Sequence, residues 1–103
     1  MSAEAGWEAD GSGGLRLTGD WRLRAMDQTL RRDARSLLQK SWTSLSLAGV
    51  TALDSATLAF LLEWQEAQRA LGSTAEPCDL PPTLRDLLAL YGLSHIWHGQ
   101  NDA

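Results

Sequence analysis

Leu45-Ser46-Leu47-Ala48-Gly49-Val50 leads through Thr51-Ala52-Leu53 into Asp54-Ser55-Ala56-Thr57-Leu58, and the period of the apolar residues changes at that junction. Before it, Leu45 and Leu47 alternate with Ser44 and Ser46, the two-residue period of a half-buried strand, which predicts a strand over Trp42–Leu47. After it, Ala56 to Leu71 runs without Gly or Pro and reads as a long helix, opened by two good N-capping residues, Asp54 and Ser55. Phe60, Trp64, Ala67 and Leu71 form one helical stripe, and Leu58, Leu61 and Leu62 widen it. A helix covering one sheet needs less apolar surface than this. The excess implies deep burial or a first turn that also meets a partner.

Outward from the junction, strands and helices alternate. Gly6–Ala9 is a candidate short edge strand, and Leu15-Arg16-Leu17-Thr18 alternates as a second strand ended by Gly19-Asp20. From about Asp27 to Lys40 the period becomes helical, with Met26, Leu30, Ala34, Leu37 and Leu38 on one side and arginines on the other. Gly72 stops the central helix. Ser73–Leu80 is an edge strand at best, because Pro77 removes a ladder donor. Pro81-Pro82 then opens a short helix carrying Leu84, Leu87, Leu88 and Tyr91, stopped by Gly92. Ile96-Trp97 is a candidate last strand, and residues 98–103 are a polar tail. This order predicts an α/β fold, a partly parallel mixed sheet with helices packed on it, in a single domain over 1–103.

Composition narrows the function. The 103 residues carry a net charge of −4, which argues against nucleic-acid binding. The charge is uneven: residues 21–40 carry +4 and the remainder −8. Arg31, Arg32 and Arg35 read first as a solvated helix face, and second as a docking surface for an acidic partner. No apolar run approaches the ~20 residues that cross a bilayer, and no signal peptide opens the chain, so a soluble cytoplasmic protein is expected. Cys78 is the only cysteine, which excludes an intramolecular disulfide and fits a reducing compartment. Five tryptophans are many for this length, and core packing is their first reading, for Trp21 and also for Tyr91.

Catalytic and cofactor patterns are missing. Gly11-Ser12-Gly13-Gly14 is too short for a phosphate loop and precedes a strand rather than a helix. His95 and His98 are spaced HxxH without a nearby Cys, Asp or Glu, which is a poor metal site. No GxSxG elbow surrounds a serine, and Cys78 has no flanking cation to activate it. No enzyme, cofactor or metal is expected.

Four segments in order resemble the STAS domain family (sulphate transporter and anti-sigma-factor antagonist) over roughly residues 7–97. They are Leu15-Arg-Leu-Thr-Gly-Asp20, Leu45-Ser-Leu-Ala-Gly-Val50, Leu53-Asp-Ser-Ala-Thr-Leu-Ala-Phe-Leu-Leu62 and Thr83–Leu93. The resemblance implies a STAS-like mixed sheet of four to five strands with about three helices, and work done by binding. Within the family, Gly19-Asp20-Trp21 and Leu90-Tyr91-Gly92-Leu93 look more like the MlaB-type branch. That branch implies a cytoplasmic accessory subunit, peripheral to the inner membrane, on the ATPase of a phospholipid ABC transporter that also holds a permease and a substrate-binding protein. Its role is outer-membrane lipid asymmetry.

The other branch is the anti-sigma-factor antagonist, whose partners are an anti-sigma factor and serine kinase and whose acceptor carries over as Ser55. The family's Ser-Gly after it is replaced here by Ala56-Thr57. The resemblance thus implies a partner-binding site at Asp54, Ser55, Thr57, Leu58 and Leu61, with Ser55 also the position for phosphorylation. From the residues alone, Asp54 and Ser55 are an ordinary cap worth about 1 kcal/mol.

Overall fold

The computed structural model describes residues 4–97. Its elements follow the expected alternation: β1 (Ala5–Ala9), β2 (Gly14–Asp20), α1 (Leu23–Leu38), β3 (Ser44–Ala52), α2 (Ser55–Ala70), β4 (Pro77–Cys78) and α3 (Pro82–Leu90). The four strands lie in the order β1-β2-β3-β4, with β1 antiparallel to β2 and the other pairs parallel. Both β-α-β connections advance in the same direction across the sheet. Right-handed crossovers therefore place α1 and α2 on one face, where they pack on each other.

The strand alternation sorts the two faces. Leu15 and Leu17 of β2 and Leu45 and Leu47 of β3 are buried under the helices, whereas Arg16, Ser44 and Ser46 point to the open face. Core residues of the helices are Met26 and Leu37 on α1, Phe60, Leu61 and Trp64 on α2, and Leu84 and Leu88 on α3. Four of the five tryptophans are buried, and Trp7 is half-buried with its indole N–H donating to Asp33 Oδ2 at 2.9 Å. Gly19 is obligatory, because its φ is +81° and a Cβ there would lie 2.1 Å from the Glu4 carbonyl oxygen.

Several expected boundaries move, for physical reasons. Helix α1 begins at Leu23 rather than near Asp27, because a cap from another part of the chain supports its first turn (below). Strand β4 keeps only Pro77 and Cys78, paired with Leu45 and Ser46. Asp79 then takes a φ of +56° and turns the chain out of the sheet. Ile96-Trp97 forms no strand: Trp97 is buried in irregular chain and its indole N–H donates to Gln65 Oε1 at 2.8 Å. Leu71, expected on the buried stripe, is 45% exposed. The buried positions of that half of α2 go instead to Gln65 and Gln68, the latter accepting from Trp42 N and donating to Lys40 O, both at 2.8 Å.

Candidate functional site

Asp54 does more than cap α2. Its Oδ1 accepts from Ala56 N at 2.9 Å and Thr57 N at 3.3 Å. Thr57 Oγ1 in turn accepts from Asp54 N at 3.1 Å, which closes a reciprocal capping box. The other carboxylate oxygen, Oδ2, accepts from Leu23 N at 3.1 Å, thirty-one residues away in sequence. Helix α1 has no side-chain cap of its own, since Arg22 stands at its N-cap position. One carboxylate therefore serves the first turns of two helices and locks their N-termini side by side.

Thr57 completes this tie. Its side chain is wholly buried and its hydroxyl donates to the Trp21 carbonyl oxygen. Thr57→Val, which keeps the shape and removes the hydroxyl, is expected to cost about 1–2 kcal/mol, because the buried Trp21 carbonyl loses its donor. Urea unfolding measures that cost, and partner binding should not change.

The five expected contact residues therefore separate. Ser55 is exposed at the first position of α2, and its hydroxyl makes no hydrogen bond within the described residues. Asp54 is half-buried and occupied by three backbone donors. Thr57 and Leu61 are both 0% exposed, which corrects their assignment as contacts: α2 turns them onto the sheet. Leu58 is 4% exposed and shows only an edge, in the wall of a groove.

That groove is open, about 290 Å³ in volume, and lined by Ser55, Leu58, Ala59, Leu62, Tyr91 and Leu93. Ser55, Leu58/Ala59 and Leu62 are the i, i+3/i+4 and i+7 positions of one face of α2, and Tyr91 and Leu93 come from the end of α3. Tyr91 is 55% exposed, so its reading as a core residue is corrected. Leu62 and Leu90 beside it are also exposed. The unusual breadth of apolar surface on α2 was the one sequence signal for this groove. Nothing local in the chain announced that Tyr91 would face it.

The electrostatics nearby are simple. Asp20 chelates Arg22 with both oxygens, at 3.0 and 2.8 Å, and the Arg22 hydrogen bonds hold its carboxyl below the usual aspartate range. No charged side chain lines the groove. Among the described residues, no cluster of His, Cys, Asp and Glu could hold a metal ion, and no hydrogen bond joins Ser55 to a histidine. His98 of the HxxH pair lies outside the described residues. Cys78, on the open face of the sheet, has its thiol pKa pushed up by burial and by Asp79, the direction away from a reactive thiolate. The arrangement can pack against an apolar surface and exchange one hydrogen bond. It presents no proton-transfer or nucleophilic pair.

A family model described as "Mlab, STAS domain" matches residues 7–98. Among solved structures, the anti-sigma factor antagonist SpoIIAA in its unphosphorylated form is similar with a TM-score of 0.64 and 18% identity, covering 87% of this chain and 82% of that one. At that identity the likeness is one of fold, and it agrees with the mixed four-stranded sheet and three helices. No curated protein matches the chain.

Proposed function

The chain belongs to the STAS domain family, and from that premise we propose that it is a non-catalytic accessory subunit that docks on the ATPase of a phospholipid ABC transporter. The groove of Ser55, Ala59, Leu62 and Tyr91 is the contact. The transporter, with its permease and substrate-binding protein, would place the subunit on the cytoplasmic side of the inner membrane and in the service of outer-membrane lipid asymmetry. No described helix is long and apolar enough to cross a membrane itself. The observation that carries the reading is the exposed apolar wall beside Ser55, a surface that a monomer gains nothing by showing to water. The matching family model carries an MlaB description, the branch whose resemblance implies this partner.

A second reading, a phospho-switched antagonist with an anti-sigma factor and a serine kinase as partners, is favoured by the free, exposed hydroxyl of Ser55. The first turn of α2 weighs against it. The Ala56 and Thr57 N–H groups that would receive a phosphate already bind Asp54, so the new charge would compete with a carboxylate one residue away.

Binding of the purified ATPase subunit and its hydrolysis rate test the reading. Ser55→Ala should bind like the wild type. Leu62→Asp, which places a carboxylate in the apolar contact at a 38% exposed position, should weaken binding more than tenfold, because a buried unpaired charge costs well over 1.4 kcal/mol. Full binding by Leu62→Asp would sink the proposal. Phosphate on Ser55 in protein isolated from the host, with binding to a serine kinase, would establish the second reading in its place.

A further inference from the structure

Helix α1 holds four arginines against two aspartates, and three of the four lie on one straight row. Arg24, Gln28, Arg31 and Arg35 follow each other by four, three and four residues, so they stay within about 60° of one another around the axis, the three arginines within about 40°, and extend along about 16 Å. All four side chains are exposed. Arg31 is paired with Asp27 at 2.9 Å, but both members are solvated, so that pair is weak and easily exchanged. The side chains of Arg24 and Arg35 form no ion pair or hydrogen bond among the described residues. Arg32, paired with Asp33, flanks the row. The residues outside 21–40 carry −8.

The row runs on from the groove. Leu23, 60% exposed, precedes Arg24, and its N–H is bonded to Asp54, the neighbour of Ser55. Leu23, Arg24, Asp27 and Gln28 line an open hollow at this end of α1.

We propose that the Arg24–Arg31–Arg35 row is a second docking strip, and that its occupant is an acidic segment of a partner protein with about one carboxylate per helical turn. Arginine suits that occupant, since its planar fork receives a carboxylate with two parallel hydrogen bonds. A lipid surface fits less well. A helix that lies on a bilayer turns an apolar face into it, and the apolar face of α1, with Met26 and Leu37, is buried in the core. A nucleic acid fits less well too: its continuous backbone charge would run past the strip over the acidic remainder of the chain, whereas a short acidic segment need not.

The strip deepens the docking reading above, and two positions keep the tests apart. The photocrosslinker p-benzoylphenylalanine is placed at position 28 or at position 62 of the full chain in host cells, and captured segments are identified by mass spectrometry. Position 28 should capture a protein segment with at least three carboxylates within a dozen residues. The Arg24→Glu/Arg35→Glu variant should lower that yield at least tenfold with an unchanged circular dichroism spectrum, and Arg24→Lys/Arg35→Lys should retain most of it. Capture of lipid, of a neutral or basic segment, or of nothing at position 28 overturns the strip, as does an unchanged yield in the double glutamate variant. If position 62 captures a protein other than an ABC ATPase while position 28 behaves as stated, the transporter reading falls and the acidic strip stands.

Discussion

Replacing Trp21 by alanine is expected to destabilise the chain by about 3–5 kcal/mol, the range for removing a large buried aromatic. The total stability of a chain this size is about 5–15 kcal/mol, so the variant should be partly unfolded at 37 °C. The size of the effect comes from the number of elements that meet at this residue. Its ring is wholly buried and stacks on Phe60 of α2, with centroids 5.4 Å apart and planes 25° apart. Its indole N–H is shared between the carbonyl oxygens of Thr18 at 3.0 Å and Gly6 at 3.2 Å, tying β2 to β1. Its backbone N–H donates to Ala52 O at the end of β3, and its carbonyl accepts from Thr57. Trp21→Phe keeps an aromatic ring against Phe60 but loses the N–H and part of the buried indole, so it should cost about 2–3 kcal/mol, less than alanine. Urea unfolding of the three proteins measures the series. A loss below 1 kcal/mol for the alanine variant would mean that the stack contributes little.

Asp54→Ala should cost about 2 kcal/mol or somewhat more, roughly twice an ordinary N-cap, because it uncaps two helices. A midpoint shift of about 8–16 °C in thermal unfolding corresponds to that value. Asp54→Asn keeps one oxygen acceptor. It can still receive Ala56 N and Thr57 N, but it gives up the acceptor for Leu23 N. Amide hydrogen exchange separates the two functions: the asparagine variant should lose protection at the start of α1 while α2 keeps its own. Equal protection of Leu23 in all three proteins would show that α1 starts without this carboxylate. Asp54 is thus a positioning residue for the groove. It sets where Leu23 and Ser55 stand relative to each other, and any loss of partner binding in its variants should follow the loss of α1 protection.

Much of the fold was legible because local chemistry and tertiary structure agreed. The alternation of Leu45 and Leu47 with serines, the capping pair before Ala56, Pro81-Pro82 and the glycines at 72 and 92 each act over a few residues. Each marked the element that formed. The misplaced elements depend on distant partners. The start of α1 depends on Asp54, thirty-one residues on. Gln65 and Gln68 look like surface residues of a helix, yet they are buried because Trp97, Trp42 and Lys40 bring backbone and indole groups that need them.

At the candidate site the same division holds. Local sequence specifies an α/β alternation, an acidic chain with one basic helix, and a helix start at Asp54-Ser55 that resembles a family's contact point. It could not determine which neighbours of Ser55 face outward, because α2 carries apolar residues on more than one side and periodicity ranks them alike. The packing of α2 against the sheet made that decision. It turned Thr57 and Leu61 inward and left Ser55, Ala59 and Leu62 outside, where the end of α3 brings Tyr91 to meet them. A helix face is a local property of sequence. The face that stays uncovered is decided only when the other elements have taken their places.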